Sequence, residues 1–93
     1  NDARPVFEFL EAYTHPQVVF TTLGVEPKLR TLKLVGATRD FKTLQEQMII
    51  LQSREELTVL TLSSIVLGEK GQVVFQLEMV FVPSFFTLAV SNP

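Results

Sequence analysis

The sequence contains no cysteine among its 93 residues. That excludes disulfides, thiolate zinc sites, cysteine-ligated iron–sulfur clusters and a cysteine nucleophile, while leaving the redox compartment open, since both environments tolerate cysteine-free chains. A single histidine, His15, weighs against histidine-rich metal sites and Ser/His/Asp hydrolysis. Charge of either sign is scarce: 8 Lys and Arg stand against 10 Asp and Glu, a formal net charge of −2. The non-specific attraction that carries most phosphate-backbone binding therefore has no evident source. Uninterrupted apolar runs reach only four residues, as at Met48 to Leu51. This is far short of the roughly twenty that span a bilayer, and nothing at the N-terminus has the pattern of a signal peptide, so the expectation is a soluble chain. What the sequence does have is apolar residues, 46% against 19% charged. One small core cannot hide them all, which points to a partner.

The length predicts one domain over residues 1–93, with a core over about 4–82 and an apolar tail over 83–93. Arg4 to Thr14 places Val6, Leu10 and Tyr13 at helical spacing, with Phe7 and Phe9 widening the stripe. His15-Pro16 ends that helix, because proline disfavours the helical region for the residue before it. Gln17 to Leu23 is rich in β-branched and aromatic residues and reads as a strand; Gly24 to Lys28 supplies turn chemistry, and Leu29 to Ala37 alternates as a half-buried strand. Thr38 or Asp40 can cap a second helix to about Arg54, carrying Phe41, Leu44, Met48 and Leu51. Leu57 to Leu67 and Gln72 to Val82 flank Gly68-Glu69-Lys70-Gly71, a hairpin connection, and Ser63-Ser64 interrupts the alternation as a bulge would. Pro83 closes the last strand, and the tail beginning at Phe85 is too apolar for a free solvated end.

Helix, strand, strand, helix, strand, strand builds an α+β two-layer sandwich in which both helices cover one face of a four-stranded antiparallel sheet. A right-handed crossover through the second helix sets strands two and three parallel with one place between them, which strand four fills by hairpin return. The expected spatial order is one, two, four, three: a ferredoxin-like sheet in circularly permuted αββαββ order.

No residue set converges on catalysis. Glu55-Glu56 and Glu46 read as a solvated helix end, because adjacent carboxylates point apart, and Arg39-Asp40 reads as a surface pair. His15, before a proline in a turn, reads as exposed. Ser63-Ser64 lacks a nucleophile elbow and a base, and Gly36, Gly68 and Gly71 form no phosphate loop. The expectation is no enzyme, no metal and no cofactor. A single-stranded RNA-binding sheet is the alternative, with Phe20 and Phe75 as stacking rings; against it stand the core-face position of Phe75, the missing basic-glycine-aromatic motif and the negative charge. A small-ligand regulatory domain has no polar cluster to define its pocket.

The informative anomaly is apolar residues off the core face. Ile49 and Ile50 leave the stripe of the second helix, and Val74, Val80 and Val82 fall opposite Phe75 and Leu77 on strand four. Strand one, with Val19 and Thr21, is an edge with little charge, open to strand addition. These seven residues are the candidate protein-binding surface.

Four stretches resemble the ferredoxin-like domain of type IV pilus assembly proteins of the PilN class, the fimbrial assembly family. QVVFTTL after Thr-His-Pro is similar to its opening strand, and Leu32 to Gln47 (LKLVGATRDFKTLQEQ) resembles its strand-glycine-helix junction, where Gly36 permits close approach of strand to helix. Val59 to Phe81 resembles its closing hairpin, and VPSFF the end of some members. PilO-like proteins and type II secretion components of the GspL and GspM kind share the pattern. The resemblance implies a non-enzymatic structural domain of the inner-membrane assembly platform of a pilus or related secretion system. It also implies a periplasmic or extracytoplasmic fragment of a membrane-anchored protein, touching the membrane only through a segment absent from this chain, binding no nucleic acid, and pairing with itself or a PilO-like protein.

Overall fold

The computed structural model describes residues 4–85. Helix α1 (Arg4–Tyr13) is followed by strands β1 (Val19–Glu26) and β2 (Thr31–Thr38), helix α2 (Phe41–Gln52), and strands β3 (Leu57–Leu67) and β4 (Val73–Phe81). The sheet has the order β1-β2-β4-β3, antiparallel throughout, as the crossover argument requires. Both helices pack on one face: Val6, Phe9 and Leu10 of α1 and Leu44 and Leu51 of α2 join Leu32, Leu34, Phe75, Leu77, Met79 and Phe81 in one buried cluster. Every second residue of β4 from Val73 to Phe81 is buried, the signature of a central strand with one face on the core.

Local chemistry explains the boundaries. Asp40, rather than Thr38, caps α2 by accepting the Thr43 N–H at 2.8 Å. Thr38 instead donates its hydroxyl to the Gln17 carbonyl at 3.2 Å and fastens the loop into β1. The first strand extends past the expected turn to Glu26, and the reversal falls at a short 3-10 turn, Pro27–Leu29. Arg30 completes it at φ 53°, a left-handed conformation uncommon for a residue with a Cβ. Its carbonyl accepts from Phe81 N–H at 2.8 Å and its Nε donates to the Phe81 carbonyl at 3.2 Å, so the end of the central strand holds the turn in place.

The Ser63-Ser64 irregularity is a bulge: the β3–β4 register shifts between Leu62 and Ser64, and the Ser63 hydroxyl donates to the Gln76 carbonyl at 3.3 Å. A second shift, around Thr58, had no sequence signal. In the hairpin turn Gly71 takes φ 81°, which glycine alone adopts freely. After β4, residues 83–85 open a helical turn in which Phe85 stacks on Phe81 at 4.3 Å and meets Phe9 edge-on. Phe85 is thus anchored, as its apolar character predicts; residues 86–93 of the expected tail lie outside the described residues.

Candidate interaction surfaces

Several of the groups considered for chemistry are engaged in holding the fold. His15, expected to be exposed, is half-buried: its Nδ1 accepts the Gln17 N–H at 3.0 Å, which places the ring proton on Nε2, 2.8 Å from Glu46 Oε1. Glu46 is therefore a tie between α2 and the loop after α1 rather than part of a carboxylate cluster. Glu56 accepts from Arg54 Nε at 3.2 Å, and the Arg54 guanidinium lies over the Tyr13 ring at 4.1 Å. The cap bond from Thr43 lowers the Asp40 pKa below its ordinary value of 3.8. Among the described residues, no group of three or more His, Asp or Glu side chains could hold a metal ion, and no helix is long and apolar enough to cross a membrane.

Sequence reasoning missed Gln47. It is 0% exposed, donates to the Tyr13 carbonyl at 2.9 Å and accepts the His15 N–H at 2.7 Å, so one amide satisfies both the end of α1 and the loop that follows. The signal was available: Gln47 lies three residues after Leu44 and four before Leu51, inside the apolar stripe. Its burial turns α2 so that Phe41, assigned to that stripe, is exposed. Phe7 of α1 is likewise exposed.

Gly36 also plays a different part from the one expected. A Cβ there would lie 2.6 Å from Phe75 Cζ and 3.0 Å from Phe20 Cδ1, so the missing side chain makes room for rings from the two flanking strands, not for a helix. Phe75 is 1% exposed and meets Phe20 edge-on at 6.4 Å. Both rings lie on the helix side of the sheet, and Phe75 is closed to a stacking base, which weighs against the RNA-binding alternative.

The candidate surface residues fall on separate surfaces. Val19, Ala37, Val74 and Val66 are mutual partners across the four strands, and directly opposed residues share a face. They make one apolar row on the face that, among the described residues, no helix covers, with Val19 63% exposed. Two rows away Lys33 and Glu78 oppose each other, and beyond them Val80 opposes Val59. Val82 follows the strand and is half-buried. Thr21 is the extra residue of a bulge in β1, its hydroxyl donating to the Val35 carbonyl at 3.3 Å. Consecutive helical residues point about 100° apart, so Ile49 is exposed while Ile50 is half-buried, and neither shares a face with the valines. Beside β1, Phe7, Leu10, Phe20 and Leu23 line an apolar groove of about 460 Å³ running along the edge strand.

No protein-family model matches the sequence, and no curated protein matches it. The element order and sheet topology define a ferredoxin-like domain in permuted αββαββ order. Among solved structures the chain is similar to the periplasmic domain of EpsL from Vibrio parahaemolyticus, with a TM-score of 0.61 at 9% identity over 85% of this chain and 88% of that one. At that identity the likeness is one of fold.

Proposed function

We propose that this chain is a non-enzymatic structural and interaction domain of the inner-membrane assembly platform of a type IV pilus or related secretion system. It acts on the periplasmic side, by pairing with itself or with a PilO-like protein. The reading joins the residue patterns of the pilus assembly family to a fold also found in a periplasmic domain of EpsL. The observation that carries it is the uncharged row Val19, Ala37, Val74 and Val66, laid across the uncovered sheet face where a monomer with no partner gains nothing by it. A PilO-like partner would dock on this face, with the groove along β1 as a flanking contact. Co-purification with a PilO-like periplasmic domain tests this. Val74→Glu and Val80→Glu should each weaken the complex at least about tenfold, the scale of a charge buried in an apolar contact, with circular dichroism unchanged. Unaltered affinity in both variants would sink the assignment of this face.

A further inference from the structure

The sheet face away from the helices carries its charge near the middle, and what that face binds deepens the interaction-domain reading above, on which this inference rests. Strand registers divide the face into rows. The first is the apolar row from Val19 to Val66; the third is Gly24, Lys33, Glu78 and Thr61, and the fourth has Glu26 and Val59 at its two ends. Lys33 and Glu78 are direct partners on the two inner strands, yet among the described residues neither closes an ion pair. Beside them, where Gly24 has no side chain, lies a hollow of about 240 Å³ bordered by Glu26, Lys33 and Glu78. On the opposite edge Val59 stands out, 47% exposed.

This arrangement is its own complement. A two-fold axis along the strands, midway between β2 and β4, exchanges the halves of the order β1-β2-β4-β3, so a second copy lays its β4 over β2 and its β3 over β1, row on row. Lys33 then meets the second copy's Glu78 and Glu78 its Lys33, a ring of four alternating charges. Val19 meets the second copy's Val66, and Val59 enters the second copy's hollow beside Gly24 and Glu26; each contact is made twice. The other axis in the plane of the face, across the strands, would set Lys33 against its own counterpart or against an uncharged side chain of β2, so charge selects the first. Stacked sheets lie about 10 Å apart with their strands within roughly 30° of parallel, an arrangement that an axis along the strands permits.

We propose that the open face of the sheet stacks on the same face of a second copy of this chain about a two-fold axis parallel to the strands, with Lys33 and Glu78 setting the register. Affinity comes from the valines and register from the charges, because an ion pair taken out of water roughly repays its own desolvation. Four strands about 4.8 Å apart and roughly 25 Å long present on the order of 500 Å². That is less than the roughly 800 Å² per partner of a standard interface, so the dimer is weak and fills only at high concentration. A PilO-like protein on the same face competes with the second copy.

Sedimentation equilibrium of the full chain, up to about 1 mM, tests the proposal. Wild type should shift from monomer toward dimer with concentration. Lys33→Glu and Glu78→Lys should each weaken the dimer at least about tenfold with circular dichroism unchanged, since each change sets like charges together twice. An equimolar mixture of the two variants should recover the dimer, because one then carries two acidic groups on this face and the other two basic ones. Gly24→Val fills the hollow and is the second disrupting variant should a charge change fail to fold; its Cβ meets nothing nearer than the Lys33 carbonyl oxygen at 3.9 Å. Wild type that is monomeric throughout would overturn the proposal, as would a dimer indifferent to all three changes. Folded, monomeric charge variants whose mixture stays monomeric would overturn it too. Wild type that binds a PilO-like protein yet never self-associates sinks this interface and leaves the proposed function standing; a dimer with these charge responses that binds no such protein keeps the interface and removes that partner from the proposed function.

Discussion

Gln47 shows what one buried amide contributes. Its two bonds reach the Tyr13 carbonyl and the His15 N–H, so truncation leaves two half-buried backbone groups without this partner and opens a cavity as well. Gln47→Ala should therefore destabilise the fold by about 2–4 kcal/mol in urea unfolding, and Gln47→Met, which restores volume but not bonds, should recover only part of it. A loss below about 0.5 kcal/mol would mean that water replaces the amide. Asp40 makes a pH-dependent contribution. Its pKa is lower folded than unfolded because the carboxylate accepts from Thr43, so its stabilisation is present above the unfolded value of 3.8 and fades as pH falls through the folded one. Asp40→Asn keeps the acceptor without the titration. That variant should unfold near the wild-type temperature at pH 7 and lose less stability than wild type between pH 4 and pH 2, a difference that paired thermal melts would read.

At the scale of elements, the sheet depends on a side chain that is not there. Gly36 lies between Phe20 and Phe75 on neighbouring strands, and the rings fill the space its Cβ would take. Because Phe75 is packed on all sides it cannot retreat, so Gly36→Ala should destabilise by about 1–3 kcal/mol despite alanine's better fit to most backbones. Pairing it with Phe75→Leu should relieve the overlap and give a coupling of about 1 kcal/mol in a double-mutant cycle. Strict additivity would show that the strain lies in the backbone instead. The same elements explain which sequence readings failed. Phe7 and Phe41 fit an apolar stripe by spacing, yet both are at the rim of their helices, where the rotation of the helix about its axis decides burial.

At the scale of the whole molecule, the two layers of the described residues supply one sheet face covered by helices and one that they leave open, and the open face carries an apolar row two rows from a charged one. Near the helices, His15 with Glu46, Arg54 with Glu56 and Asp40 with Thr43 are committed to ties that hold the fold. A thermal-shift screen of divalent metals, nucleotides and coenzymes should accordingly give no saturable stabilisation of more than a degree or two. A ligand that raises the melting temperature by several degrees would point to a pocket, with the concavity of about 240 Å³ between Glu26, Lys33 and Glu78 the first place to look.

Element order, strand pairing, the hairpin and the Ser63 bulge were legible in the sequence, because alternation and helical periodicity are local and the handedness of a crossover leaves one economical topology. The residues of the candidate surface were legible singly: off-core valines and isoleucines stand out against their own element. Which of them meet was not. Val19 and Val66 lie 47 positions apart and come into one row only through the registers of three strand pairs. Periodicity specifies a face within an element; contact between faces depends on register and on helix rotation, which are set by long-range packing that no short stretch of sequence contains.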